Sequence, residues 1–280
     1  MPQHGRWKVL AIGLSLLFIV VACATAPVTG RSQLILISPQ QESELGASAF
    51  QQVLSKAKVS HDPEQQAVVD RIGWRIARAA NLTDAEWKFV VIDDPETVNA
   101  FALPGGKVGV YTGIFPVART EGGLATVMSH EVAHVMAHHG AERLSQGLLA
   151  QLGAAAIQAG MAGSNPGVVQ GVMAAYGLGA NVGVLLPYSR LQESEADRIG
   201  VLLMAMAGYD PQEAVHLWER MAQEDGQRPP EFLSTHPDPA RRIQDLKALM
   251  PNALTHYRAL PDQVSESTRL LPGVKDQDTR

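Results

Sequence analysis

His130, Glu131 and His134 stand in the order His-Glu-x-x-His. On a helix, positions i and i+4 share a face, so both imidazoles can bind one metal ion. Glu131 follows the first ligand by one residue and lies beside the ion rather than on it. There it can take a proton from metal-bound water. The flanking residues Leu124, Val127, Met128 and Val135 are apolar, which predicts a buried helix. Three ionisable groups on a buried helix need a reason, and a shared metal supplies one.

A third ligand is required. One option places a histidine six residues after His134 and a glycine three residues after it. Those positions hold Gly140 and Ala137, so that option is excluded. His138 and His139 are close by in sequence and are read as structural. The other option is a carboxylate from a later helix. Ser189 to Asp197 offers Glu193, Glu195 and Asp197. At about 100° per residue, Glu193 and Asp197 lie about 40° apart and Glu195 points away. Glu193 can therefore ligate the metal while Asp197 accepts the free N–H of a ligand histidine. Glu195 is expected to be solvated.

The pair His-Glu-x-x-His and Glu-x-x-Ala-Asp, the latter preceded by Ser189-Arg190, resembles the zinc metallopeptidase family of HtpX and the CAAX prenyl proteases. Within it the motifs resemble those of the exported-lipoprotein branch, that of LoiP and BepA. Further matches are Pro27-Val28-Thr29-Gly30-Arg31, Asn99-Ala100-Phe101-Ala102-Leu103-Pro104-Gly105-Gly106, and Ser234-Thr235-His236-Pro237 followed by Arg242-Ile243. The resemblance runs from about residue 23 to 250 and implies one zinc ion per chain, bound by His130, His134 and Glu193. It implies that Glu131 is the general base. His236 is placed at the zinc, either stabilising the oxyanion or occupying the open metal position at rest. Asn99, Ala100, Phe101 and Ala102, with Lys107 to Tyr111, resemble an active-site sheet edge to which an extended peptide adds as a strand. The helical-repeat arm of BepA and the multiple spanning helices of HtpX are not matched, so action outside the inner membrane is expected.

The implied activity is endopeptidase hydrolysis of unfolded or misfolded envelope proteins, with the outer-membrane assembly machinery as a partner. The alternative is a periplasmic chaperone or assembly lipoprotein that uses the same fold for binding. A structural zinc staple is disfavoured, since such sites normally use cysteines and the chain has one cysteine. That count also excludes an intramolecular disulfide. A net charge of -5 gives no basic field for nucleic acid, and none is expected as a partner.

The elements that must position these residues follow from patterning. Arg6 and Lys8 precede an uncharged run, Val9 to Ala22, that ends at Cys23. This reads as a lipoprotein signal peptide over 1–22, with Cys23 acylated as a membrane anchor. The expected location is the periplasmic face of the outer membrane. Residues 23–32 read as a lipidated tether, 33–250 as the metallopeptidase domain and 251–280 as a tail, frayed from Ser265 onward. The fold class is α+β and predominantly helical. The resemblance makes it zincin-like (gluzincin), with a small mixed sheet beside the active-site helix. Apolar spacing predicts helices over Gln40–Lys58, Pro63–Ala80, Thr120–Leu144, Arg190–Met206, Pro211–Gln223 and Pro239–Leu249. Strands are predicted over Gln33–Ser38, Trp87–Ile92, Asn99–Ala102 and Lys107–Thr112. Ser145 to Ser189 contains no Asp, Glu, Lys, Arg or His and nine glycines. It reads as a buried helix pair, a lid or membrane-facing flap, or a membrane insertion.

Overall fold

Asp62 caps the best-defined helix start in the chain. Its carboxylate accepts the N–H groups of Glu64 at 2.9 Å and Gln65 at 3.2 Å, and Pro63 fixes the first turn. Asn81 ends that helix in the left-handed region, at φ 50°. Between these caps, Val69, Ile72 and Ile76 recur at helical spacing and are fully buried.

The computed structural model describes residues 23–180, 186–223, 239–257 and 266–275. In chain order they begin with β1 (Cys23–Thr25), β2 (Ser32–Leu34), α1 (Pro39–Leu54) and α2 (Pro63–Ala80). Then come β3 (Lys88–Ile92), β4 (Ala100–Leu103), β5 (Lys107–Tyr111), a 3₁₀ turn over Thr112–Ile114 and α3 (Phe115–Ala118). The remaining helices are α4 (Glu121–Met136), α5 (His139–Gly160), α6 (Pro166–Ala180), α7 (Leu186–Met206), α8 (Gln212–Gln223) and α9 (Pro239–His256). The fold is α+β and predominantly helical, as the patterning indicates. It divides into two units, Gln40–Ala137 with Tyr188–Arg280, and Met1–Pro39 with His138–Pro187.

In the larger unit the sheet order is β3-β5-β4, with β5 parallel to β3 and antiparallel to β4. The outer edge of β3 is occupied. The Gln66 side chain donates to the Phe89 carbonyl and accepts from the Val91 N–H, both at 3.1 Å. Ser60 N–H donates to the Val91 carbonyl at 2.8 Å. Val91, Val108 and Val110 of the sheet and Leu124 and Met128 of α4 share one core with the buried stripe of α2. Every residue of α4 from Glu121 through Val135 is buried. A helix apolar on all sides belongs in a core, and α4 is the central element that carries His130 and His134.

Two expectations of element boundary are corrected here. The helix predicted over Thr120–Leu144 is two helices, because His138 adopts φ 52° and ends α4 after Met136. No glycine or proline marks that break. Histidine is among the few side chains that visit the left-handed region, which is why periodicity runs through it unseen. The tail is pinned rather than frayed over 266–275. Glu121 N–H donates to the Arg269 carbonyl and Leu271 N–H to the Arg119 carbonyl, both at 2.9 Å. Arg71 and Arg269 pair with the buried Glu121 at 2.7 and 3.0 Å, and Arg75 pairs with Glu266 at 2.6 Å.

In the smaller unit, the segment read as a tether is a hairpin, with β1 and β2 antiparallel. Arg31 grips Glu142 of α5 with two 2.7 Å hydrogen bonds, and Leu36 N–H donates to Ser145 Oγ at 2.9 Å. α5 and α6 form a second hairpin, joined where Tyr176 donates to the Ala150 carbonyl at 3.1 Å. The reading of Ser145 to Ser189 as a buried pair is corrected by this hairpin. From Gly147 through Gly177 no residue is buried. Gly163 at φ 87° turns the chain between the helices.

Candidate metal centre

His130 and His134 project from one face of α4, one turn apart. Their rings meet edge to face at 4.8 Å, with the two Nε2 atoms 3.1 Å apart. Glu193 reaches them from α7. Its Oε2 is 3.3 Å from His130 Nε2, and its Oε1 is 3.4 Å from His134 Nε2. Each of the three residues is buried and offers one ligand atom, all within 4.8 Å of one another. A tetrahedral ion with bonds of about 2.0–2.1 Å spaces its ligand atoms about 3.3 Å apart. The donor set therefore has the chemistry and the spacing of one face of such a site, leaving a fourth position for water or substrate.

α7 approaches α4 closely because Gly200 has no side chain. A Cβ there would lie 3.0 Å from His130 N and 3.1 Å from His130 Cα. Both contacts are backbone, so neither side can yield without moving a helix. Gly200→Ala is expected to lower stability by about 1–3 kcal/mol, read as a fall in the urea midpoint.

Behind the ligands lies a charged layer. Asp197 Oδ1 sits 3.0 Å from His130 Nδ1, the arrangement that fixes a ligand imidazole with Nε2 forward. Burial alone would raise the Asp197 pKa, but Arg242 and His130 outweigh it and hold the carboxyl at about 2. Burial and Arg242 both disfavour the charged form of His130. Its hydrogen bonds to Asp197 and Glu193 prevail and raise it to about 9.

Arg242 of α9 was matched in sequence without a role, and the structure supplies one. Its Nε donates to Asp197 Oδ2 at 2.7 Å and its Nη2 to Asp197 Oδ1. Its Nη1 donates to Glu193 Oε2 at 3.4 Å, and its guanidinium lies 3.7 Å over the Trp218 ring of α8. One arginine thus braces both acids of the Glu-x-x-Ala-Asp segment. The available signal was an arginine sharing a helical face with Leu246, both buried. Asp197→Asn is expected to weaken metal binding about 10–100-fold. An amide can present its N–H to His130, and it leaves Arg242 with only the 3.4 Å contact to Glu193 as a charged pairing in this layer. Competition against a chromogenic chelator measures the change.

Glu131 is buried as well. Its Oε2 accepts the Ala102 N–H at 3.2 Å, so β4 and the histidine helix meet at this carboxylate. The pairing of β4 explains the geometry. Tyr111 N–H donates to the Asn99 carbonyl, so Asn99, Phe101 and Leu103 face β5. Alternation turns the backbone groups of Ala100 and Ala102 to the opposite edge.

The other candidates sort themselves. Glu195 stays out of the ligand set, as its helix angle indicates, but it is buried rather than solvated. Only Leu191, Ser194 and Arg198 of the turns around it are exposed, so α7 is covered on most of its circumference. His138 and His139 also stay out of the set, and His139 is fully buried. His236 and residues 1–22 lie outside the described residues.

Comparison with known proteins gives this geometry a lineage. The sequence profile of Peptidase family M48 matches residues 63–250. The mitochondrial metalloendopeptidase OMA1 of Schizosaccharomyces pombe is 35% identical over 89% of this chain and 73% of its own length. The OMA1 of Saccharomyces cerevisiae is 32% identical over 90% of this chain and 76% of its own. The beta-barrel assembly-enhancing protease of Escherichia coli is 30% identical over 86% of this chain and half of its own. The mitochondrial relatives overturn the expectation of a lipoprotein on the periplasmic face of the outer membrane. That expectation rested on a charged start, a short apolar run and Cys23.

Proposed function

The chain belongs to Peptidase family M48 and is a metalloendopeptidase, and on that premise we propose that it uses zinc to hydrolyse unfolded or misfolded stretches of protein. The observation that carries the reading is the triangle of donor atoms at 3.1, 3.3 and 3.4 Å beside a buried, anchored Glu131. Zinc held by His130, His134 and Glu193 would supply Lewis acidity toward water and the scissile carbonyl. Asp197 holds the His130 ring in register, and Arg242 holds Asp197 and Glu193.

Glu131 takes the proton of the attacking water and passes it to the leaving amine. The outward edge of β4 receives the substrate backbone as an added strand. Main-chain pairing of this kind recognises extension more than side-chain identity, which suits unfolded stretches. Ala102 N–H, now on Glu131, lies where that strand and the general base meet.

The test is proteolysis of unfolded casein by the purified chain. Activity removed by 1,10-phenanthroline and restored by added zinc is expected. Cleavage that persists at the untreated rate in the chelator, with no bound metal left, would overturn the proposal.

A further inference from the structure

The α5–α6 hairpin does not need the catalytic reading to be of interest. Its sequence neighbourhood, Ser145 to Ser189, has no charge or histidine. From Gly147 through Gly177 no residue is buried, and Leu148, Leu149, Leu152, Val168 and Val172 are among the exposed large apolar residues. A helix that is apolar on several faces needs an apolar surrounding on several faces. Water is a poor one for a patch of this kind. We infer that this hairpin inserts into one leaflet of a lipid bilayer as a re-entrant element.

Four observations bear on lipid as the occupant. First, both segments are α-helical, one of the two backbone forms that hydrocarbon tolerates. Second, α6 has 15 residues and rises about 22 Å, short of the roughly 30 Å hydrocarbon core. Among the described residues no helix is long and apolar enough to cross a membrane, so a hairpin of this length enters and returns. Third, exposed Arg143 of α5 stands just before the uncharged stretch on the hairpin's own unit. A long cationic side chain at such a boundary reaches lipid headgroups while the segment beyond it sits deeper.

Fourth, the other long uncharged apolar run, Val9 to Ala22, leads into this same unit. It joins β1 at Cys23. The β1–β2 hairpin is clamped to the base of α5 through Arg31–Glu142 and Leu36–Ser145. The strand that continues directly from that run is therefore held on the same small body as the hairpin. A water-soluble partner explains the hairpin but not its attachment to the N-terminal run.

The test uses the full chain carrying Cys23→Ser, with a single cysteine placed at Leu152, at Val172 or, as a control, at exposed Gln52 of α1. Each variant is labelled with an environment-sensitive fluorophore and mixed with vesicles of phosphatidylcholine and phosphatidylglycerol. At 152 and 172 the emission is expected to shift to the blue. It should also be quenched by lipids brominated on their acyl chains, while the label at 52 stays water-like. Adding Val172→Glu to the Leu152-labelled variant should abolish shift and quenching without changing the far-ultraviolet circular dichroism. Water-like emission at all three positions would overturn insertion. So would a blue shift at 152 that needs no lipid and grows with protein concentration, because the occupant is then a second copy. A shift without quenching by brominated chains would also overturn it. Casein cleavage plays no part in the readout, so failure here leaves the catalytic reading standing.

Discussion

Glu131→Gln is expected to retain its metal and its fold while losing cleavage of unfolded casein by about 10²–10⁴-fold, the usual contribution of a positioned acid–base group. The amide keeps the size of the side chain. Its oxygen can still accept the Ala102 N–H that Glu131 Oε2 accepts at 3.2 Å. Glutamine cannot take a proton from water, so the loss falls on kcat rather than on the architecture. Glu131 is not in the donor triangle, so metal content should be unchanged. Full activity with normal metal content would remove Glu131 from the mechanism. The same variant separates hydrolysis from binding. If the chain serves its cell as a chaperone on this fold, Glu131→Gln complements a deletion strain. If it serves as a protease, it does not.

Glu193→Ala should weaken metal affinity by more than about 100-fold, beyond what the loss of an outer hydrogen-bond partner does. It removes one of three protein donors. It also leaves Arg242, which donates to Glu193 Oε2 at 3.4 Å, with Asp197 as its remaining acidic partner among the described residues. Glu195→Ala is the control. It removes a carboxylate from the same helix, also buried, that contributes no donor to the site. Metal should stay bound in that variant even if stability falls. Metal analysis with the two results reversed would break the assignment of Glu193, and with it the pairing of α4 with α7 as a metal centre.

The legibility of this site followed from how local each signal was. His130, Glu131 and His134 lie within five consecutive residues, and helical geometry alone puts the histidines on one face. Glu193 and Asp197 follow the same rule on their own helix. Arg242 was not legible as a brace, because its partners are 45 and 49 residues away and nothing local to it says which acids it will meet. The burial of Glu195 was equally hidden. A helix angle states where a side chain points, not whether something covers it.

The elements divide in the same way. α2 was read from its caps and stripe, and β3 from its β-branched and aromatic run, because those signals are short-range. The split at His138 was missed because one residue in a left-handed conformation leaves no trace in periodicity. The tail was misread because its order comes from pairing with Arg119, Glu121 and Arg75 far upstream. By itself, the order of residues determined the chemistry available: two imidazoles, a base beside them and a pair of acids at helical spacing. Tertiary structure alone decided that Gly200 lets α7 come against His130 and that the outward edge of β4 faces Glu131. Each of these depends on which surfaces meet across long stretches of chain, and no local pattern encodes that.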